Sequence, residues 1–479
     1  VPLLVLAALK PLARNPRGAR IDELFPGGHA RAGRWARAPH QSRGWFIFFA
    51  SVDAILRFAE PLIPRRLRRR AIAEAVAFVT ERLNGEDGLG AIFPAMANTV
   101  MMLDALGYGH DDRAFATAVK AIDRLLVVTR EEAYCQPCVS PVWDTVLACH
   151  ALLEVAGNDA RAPERSAVRR ALQWLEQRQV LETTGDWAMQ RPDVRPGGWA
   201  FQYANPHYPD LDDAAVVVMA MDRFARSRVA RGEPDFSESI VRGNEWVAGL
   251  QSADGGWGAF DADNTSEYLN HIPFADHGAL LDPPTADVTA RCAGMLAQLG
   301  GKEARALRRA LDFLRRSQER NGSWYGRWGM NYIYGTWSVL IALNAVGVDR
   351  EDAAIRRAVA WLVSVQNEDG GWGEAGDSYE LDHRGHERAT STPSQTAWAL
   401  LGLMAAGEVR SPAVERGVDY LTQRQDESGF WPELQFTATG FPRVFYLRYH
   451  GYAKFFPLWA LARYRNLSES GDLHLRFGM

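Results

Sequence analysis

The hydrophobic positions of this chain recur at helical spacing almost from end to end. Apolar residues at i, i+3 and i+4 predict helices over Ala71–Leu83 and Ala114–Val128, and over runs such as Val359-Ala360-Trp361-Leu362 and Val418-Asp419-Tyr420-Leu421. No alternation of apolar and polar residues is long enough to predict a sheet. Residues 40–72 depart from the ordinary pattern. Trp45-Phe46-Ile47-Phe48-Phe49 opens an apolar stretch reaching Ile63, interrupted by Asp53, Arg57 and Glu60 at a spacing that puts them on one face. Arg65, Arg66, Arg68, Arg69 and Arg70 follow directly. A one-sided aromatic helix ending in arginines predicts a segment lying in a bilayer surface, with Trp45, Phe46, Phe48 and Phe49 in lipid and Arg65, Arg66 and Arg68 on headgroups. The competing expectation is an amphipathic helix that covers the protein's own core. No run has the length of a spanning helix.

An internal repeat is the clearest pattern. Four times a helical run ends in Gln-x-x-x-Gly-x-Trp: Gln251/Gly255/Trp257, Gln318/Gly322/Trp324, Gln366/Gly370/Trp372 and Gln425/Gly429/Trp431. A degenerate form precedes Asp87-Gly88-Leu89. Gly permits the left-handed turn that ends a helix, Trp folds back on it, and the Gln amide reaches backbone at a neighbouring helix end. Repeated helical hairpins around an axis predict an all-α barrel, and the repeat itself carries no catalysis.

Composition narrows the field further. The 479 residues hold 16 Trp, 21 Phe and 14 Tyr, and fourteen of the tryptophans lie beyond residue 140, an aromatic load larger than core filling needs. Net charge is −4 with both signs interspersed, which gives no argument for nucleic acid, and none is expected as a partner. Four Cys are too few for a disulfide scaffold. Cys135 and Cys138 form a lone C-x-x-C, read as small packing residues before redox or zinc ligands. The chain opens on Val1-Pro2-Leu3-Leu4-Val5-Leu6 without an initiator Met, which predicts a piece of a longer protein.

The candidate chemistry lies in Asp210-Leu211-Asp212-Asp213, between a Pro-rich loop and the apolar run Ala214-Ala215-Val216-Val217-Val218-Met219. Like charges this close resist full ionisation, so one carboxyl is expected to keep its proton near neutrality and to serve as a general acid. The alternative is that these aspartates only cap a helix. The spacing of Phe441, Phe445, Tyr449 and Tyr452 reads, by itself, as one core-packed face of a helix.

Together the four repeats and the Asp-x-Asp-Asp motif resemble the squalene–hopene cyclases of the triterpene cyclase superfamily. Further blocks fit the resemblance: Ser140-Pro141-Val142-Trp143-Asp144-Thr145, Gly326-Arg327-Trp328-Gly329 with Asn331-Tyr332, and Ser391-Thr392-Pro393-Ser394-Gln395-Thr396-Ala397-Trp398. The resemblance implies two α/α barrels, the first incomplete over residues 1–137 and carrying the membrane segment 40–72, the second catalytic over 138–479. It implies Asp212 as proton donor to an alkene of squalene, Asp210 and Asp213 sharing the charge left behind, and Asp144 and Asp287 supporting them. Arg291 then stands where the family often has His, in Asp287-Val288-Thr289-Ala290-Arg291, and makes the donor's cationic neighbour permanently charged.

By the same resemblance Trp143, Phe201, Phe260, Trp328, Tyr334, Phe441, Phe445, Tyr449 and Tyr452, with Ile92 from the first barrel, line the substrate cavity, where ring faces stabilise carbocations without offering a nucleophile. Phe260 replaces an expected Tyr and Phe93 a Gln associated with the terminating water, so the ratio of hopene to hopanol is expected to differ. The resemblance implies squalene and membrane lipids as partners, no metal or organic cofactor, peripheral attachment to the cytoplasmic face of a bacterial inner membrane, and compatibility with a homodimer. Competing readings are another class II terpene cyclase acting on a prenyl diphosphate, an inactive lipid-binding α/α-barrel scaffold, and a zinc prenyltransferase-like barrel, for which Cys292 is the sole hint.

Overall fold

The computed structural model describes residues 1–12, 14–20, 23, 36–157, 159, 161–226, 233–272, 280–300, 304–380, 385–471, 475 and 477–479. They form two compact units, Val1–Val139 with Ser266–Leu281, and Ser140–Thr265 with Asp282–Met479. The excursion Ser266–Leu281 has no counterpart in the division expected at residue 137.

The first unit holds helices α1 (Pro2–Leu9), α2 (Arg43–Ala59), α3 (Arg65–Glu81), α4 (Phe93–Ala105) and α5 (Arg113–Asp123), then a hairpin of β1 (Leu126–Val128) and β2 (Ala133–Cys135). Its core gathers Val5, Leu6, Val79, Met102, Leu103 and Phe115 from α1, α3, α4 and α5. Two expectations change here. The helix expected over Ala114–Val128 stops at Asp123, and its last apolar residues pair with Ala133–Cys135 as a strand. The helix expected from Ala71 begins at Arg65, so the arginines lie in its first two turns.

Helix α2 buries none of its residues. Ile47, Phe48, Ile55, Leu56 and Phe58 are exposed, Phe46 and Phe49 half-buried. The interrupting charges do share a face, where Arg57 pairs with Asp53 at 2.8 Å and Glu60 takes Lys10 at 2.7 Å. Trp45 stacks on Tyr268 and His271, which fastens the start of α2 to the excursion. No described helix is long and apolar enough to cross a membrane.

The second unit is an α/α barrel. Its helices are α6 (Pro141–Ala156), α7 (Glu164–Glu176), α8 (Leu211–Arg226), α9 (Ser237–Gly249), α10 (Ala286–Leu299), α11 (Ala304–Arg316), α12 (Tyr332–Val346), α13 (Ala353–Ser364), α14 (Pro393–Ala405) and α15 (Pro412–Arg424). A hairpin of β3 (Ala438–Phe441) and β4 (Phe445–Leu447) precedes α16 (Tyr452–Ser470). Helices α6, α8, α10, α12, α14 and α16 each pack on the next, and α16 returns to α6 to close an inner ring. The odd-numbered helices α7 to α15 form the outer layer. Amphipathicity sorts the layers: α12 and α14 are apolar nearly all round and buried, whereas α11 buries only Ala310 and Leu314. Because each outer helix returns the chain, the inner helices run parallel and their N-termini share one end of the barrel.

The repeats are the rivets of this outer layer. In each, the Trp indole donates to a carbonyl ten residues back at the end of an outer helix: Trp257 to Val247, Trp324 to Leu314, Trp372 to Leu362 and Trp431 to Leu421, at 2.7–2.8 Å. These acceptors are among the carbonyls that a helix end leaves open. The Gln amide donates to the Gly four residues on and, in the first three repeats, to a first-turn carbonyl of the next outer helix: Ala306, Ala354 and Ala413. A fifth copy escaped the sequence pattern. Trp199 donates to Leu175 and Gln179 to Gly197 and Ser239, but eighteen residues separate Gln179 from Gly197.

Candidate active site

Asp210 ends the Pro-rich loop, its N–H tied to the carbonyl of Trp199 at 2.7 Å, and Leu211 N–H is tied to Ala259 at 2.7 Å. Its Oδ1 accepts the backbone N–H of Asp212 at 2.7 Å and of Asp213 at 3.2 Å. Capping is therefore what Asp210 does, and it leaves the next two carboxyls free of that task. Asp212 and Asp213 are both buried in the first turn of α8, and Oδ1 of each has no hydrogen-bond partner.

Burial drives the acidity of this cluster. It pushes the Asp212 carboxyl up to about 7; the Arg291 guanidinium opposes the rise and Asp287 adds to it. Asp210 and Asp213 are raised well above the ordinary carboxyl range, first by burial and then by each other's neighbourhood of acids. Asp144, on α6, is pushed up to about 6 by burial although Ser140 Oγ donates to it at 2.7 Å. A set of neighbours that cannot all ionise holds protons at neutral pH.

Arg291, on α10, lies with Nε 3.4 Å from Asp212 Oδ1. Its Nη1 donates to Ser338 Oγ and its Nη2 to Tyr334 Oη, both at 2.7 Å. Asp287, one turn before Arg291, accepts the N–H groups of Arg327 and Trp328 at 2.9 Å. That bond sets the turn whose Trp328 ring meets Phe260 edge-on at 6.1 Å.

The aromatic residues fall into two groups. Trp143 donates to Tyr452 Oη at 2.8 Å; Tyr452 stacks on Tyr449 at 4.5 Å, and Tyr449 meets Phe201 edge-on at 6.2 Å. Tyr334 reaches the same group through Trp398, 4.9 Å from one and 5.8 Å from Tyr452. Phe441 and Phe445 face each other across the hairpin at 5.5 Å, and Thr439 N–H of β3 binds the carbonyl of Trp328. The single helical face expected for Phe441, Phe445, Tyr449 and Tyr452 is thus wrong. Two lie on strands, one in a loop and one opens α16, because Gly440 and the turn at 442–444 favour a hairpin. Phe201, Phe260, Trp328, Phe441, Phe445 and Tyr449 are half-buried. Ile92 precedes α4 in the first unit, 37% exposed.

Sequence reasoning missed three residues. Asp282 accepts the N–H groups of Ala259, Phe260 and Asp261 and so fixes Phe260 and the bend whose Ala259 carbonyl holds Leu211. Glu374 accepts from Asn331, Tyr332 and Ile333 at the start of α12, and burial pushes it up to about 7. Ser338 holds Arg291. Of these, Ser338 alone had a local signal, its i+4 relation to Tyr334.

Two family models together match nearly the whole chain. The Squalene-hopene cyclase C-terminal domain matches residues 139–466 and the Squalene-hopene cyclase N-terminal domain residues 1–131. The chain belongs to the squalene–hopene cyclase family. It is 62% identical over 472 residues to a probable squalene–hopene cyclase of Sinorhizobium fredii, covering 98% of this chain and 72% of that protein. It is 61% identical over 481 residues to the squalene–hopene cyclase of Bradyrhizobium diazoefficiens and 56% over 486 to that of Zymomonas mobilis. Both alignments cover 100% of this chain and 72% of the relative.

Proposed function

We propose that this chain cyclises squalene to hopene, with part of the flux leaving as hopanol, and that Asp212 starts the reaction by protonating a terminal alkene. The observation that carries the assignment is a buried Asp212 carboxyl, pushed up to about 7 and unbonded at Oδ1, next to the Arg291 guanidinium. In the first step the Asp212 O–H bond breaks, the alkene π pair forms the new C–H bond, and a tertiary carbocation and a carboxylate remain. The carboxylate is left at the positive end of α8 beside Arg291, both of which favour the anion. Each ring closure then turns one π bond into one C–C bond and moves the cation along the chain. Loss of a proton from carbon ends the sequence as an alkene; addition of water to the cation, with loss of one of the water's protons, ends it as an alcohol. Ring faces of Phe201, Tyr449, Phe260 and Trp328 suit a travelling cation because their quadrupoles attract it without bonding to it. Asp287 and Asp144 act through what they hold, the Arg327–Trp328 turn and the start of α6.

The same reading takes α2 and the arginines opening α3 as a peripheral membrane attachment. Its support is the row of exposed apolar side chains on α2 and five arginines at a helix N-terminus, where the dipole disfavours cations and an anionic surface would compensate. A hydrocarbon substrate partitions into lipid, so attachment and substrate supply coincide.

Replacing Asp212 by Asn and following squalene conversion by gas chromatography tests the donor. Turnover should fall at least about a hundredfold, the lower range for loss of a general acid. Turnover kept at the unsubstituted level removes Asp212 from that role.

A further inference from the structure

Both terminal nitrogens of Arg291 donate to groups other than Asp212. Nη1 is spent on Ser338 Oγ and Nη2 on Tyr334 Oη, two acceptors one turn apart on the same face of α12. Ser338 cannot reverse its role, since its own proton goes to the backbone carbonyl of Tyr334 at 2.8 Å, which leaves its oxygen as an acceptor. The rings of Tyr334 and Trp337 close on the guanidinium with Cζ at 5.2 and 4.7 Å from their centroids. What is left for Asp212 is Nε at 3.4 Å, and neither Nε nor Asp212 Oδ1 takes part in a hydrogen bond.

This half-approach has a chemical consequence. A forked arginine–carboxylate bridge in a buried place favours the anion strongly, and an acid so bridged is already ionised at neutral pH. Burial with no cation nearby has the opposite fault, a proton bound too tightly to give away. We propose that Ser338 is a positioning residue for the acid: with Tyr334 it holds the Arg291 guanidinium back from a forked bridge to Asp212, and so sets how readily Asp212 releases its proton. The proposal rests on Asp212 being the donor.

The other groups around Asp212 do not supply this control. Asp210 caps its helix, Asp213 follows it on that helix, and Asp144 approaches Asp213 from α6. From α10 come Asp287 and Cys292, from α12 Tyr334 and from α16 Tyr452. All of these are acids, so among the described groups Arg291 is the one cation whose position can strengthen the donor.

The test is kcat/KM for squalene against pH in the full-length enzyme, for the unsubstituted protein, Ser338→Ala and Ser338→Thr, with Asp212→Asn as control. Ser338→Ala frees Nη1 to bridge Asp212, so the alkaline fall in activity should move at least one pH unit lower. Just above the original limb that is about a tenfold loss, since one pKa unit is a factor of ten, whereas the acidic plateau stays within about threefold of the unsubstituted value. Ser338→Thr keeps an acceptor oxygen and should restore the limb. Tyr334→Phe frees the other prong and should move the limb the same way, which guards against an Ala variant that folds poorly. A loss equal at every pH, or a limb that does not move in either variant, overturns the proposal. Turnover by Asp212→Asn removes the donor on which it rests, and is read on a separate variant.

Discussion

The indole N–H of Trp143 donates to the hydroxyl of Tyr452 at 2.8 Å. Trp143 sits in the first turn of the first inner helix and Tyr452 opens the last, so a single bond across 309 residues closes the ring at the end that holds the acids. Both side chains are buried, and the hydroxyl is the indole's acceptor.

Tyr452→Phe should therefore strand a buried N–H and lower unfolding stability by about 1–3 kcal/mol, the cost of an unmet buried donor. Denaturant unfolding of Tyr452→Phe, Trp143→Phe and the double variant measures it. Additive losses would mean that the two residues act independently.

The Asp212 carboxyl has the sign of a group whose folded value is raised. Its proton is bound more tightly in the folded chain than in the unfolded one, so its contribution to stability is complete below about 4 and is lost as pH rises through about 7. As the proposed donor, Asp212 must also be protonated to act. Cyclisation measured from pH 5 to 9 should thus hold level in acid and fall as pH passes about 7. A rate that climbs through that range would contradict a carboxylic acid donor.

The repeats differ in what their glycines face. At Gly370, with φ +85°, an added Cβ would lie 2.6 Å from the carbonyl of Arg416; at Gly429, with φ +82°, the nearest atom is the Gln425 amide at 3.9 Å. Left-handed strain costs an Ala about 1–2 kcal/mol at either site. Gly370→Ala adds a backbone collision and should destabilise clearly more than Gly429→Ala in thermal or urea unfolding. Equal losses would show that the outer helices do not seat on these turns.

Arg65 and Arg66 stand in the first turn of α3 with no acidic residue there to balance them. Arg65→Gln with Arg66→Gln should weaken co-sedimentation with vesicles of anionic phospholipid by about 30-fold, taking about 1 kcal/mol per charge. The same change removes two cations from a positive helix end, so stability in solution should hold or rise. Unchanged vesicle binding would remove the arginines from the attachment.

Some of this was legible in local order and some was not, and the acid motif shows the division. Asp210-Leu211-Asp212-Asp213 could be read as cap or as acid; the fold makes Asp210 the cap and leaves Asp212 available. The fifth repeat was hidden because an insertion of loop between Gln179 and Trp199 broke the spacing while leaving the bonds intact. The aromatic run 441–452 misled, because i, i+4 spacing does not distinguish a helix face from a hairpin followed by a helix start.

What the sequence determined by itself is the helical class, the recurrent Gln–Gly–Trp turn, the acid cluster and the amphipathic aromatic helix, all of them set by forces acting over a few residues. Only the tertiary structure decided that Arg291 stops at 3.4 Å from Asp212, that Ser338 and Tyr334 accept its two terminal nitrogens, and that Trp143 meets Tyr452. Those relationships join residues brought together by closing a ring of parallel helices, and neither spacing nor composition encodes a distance between neighbours in space.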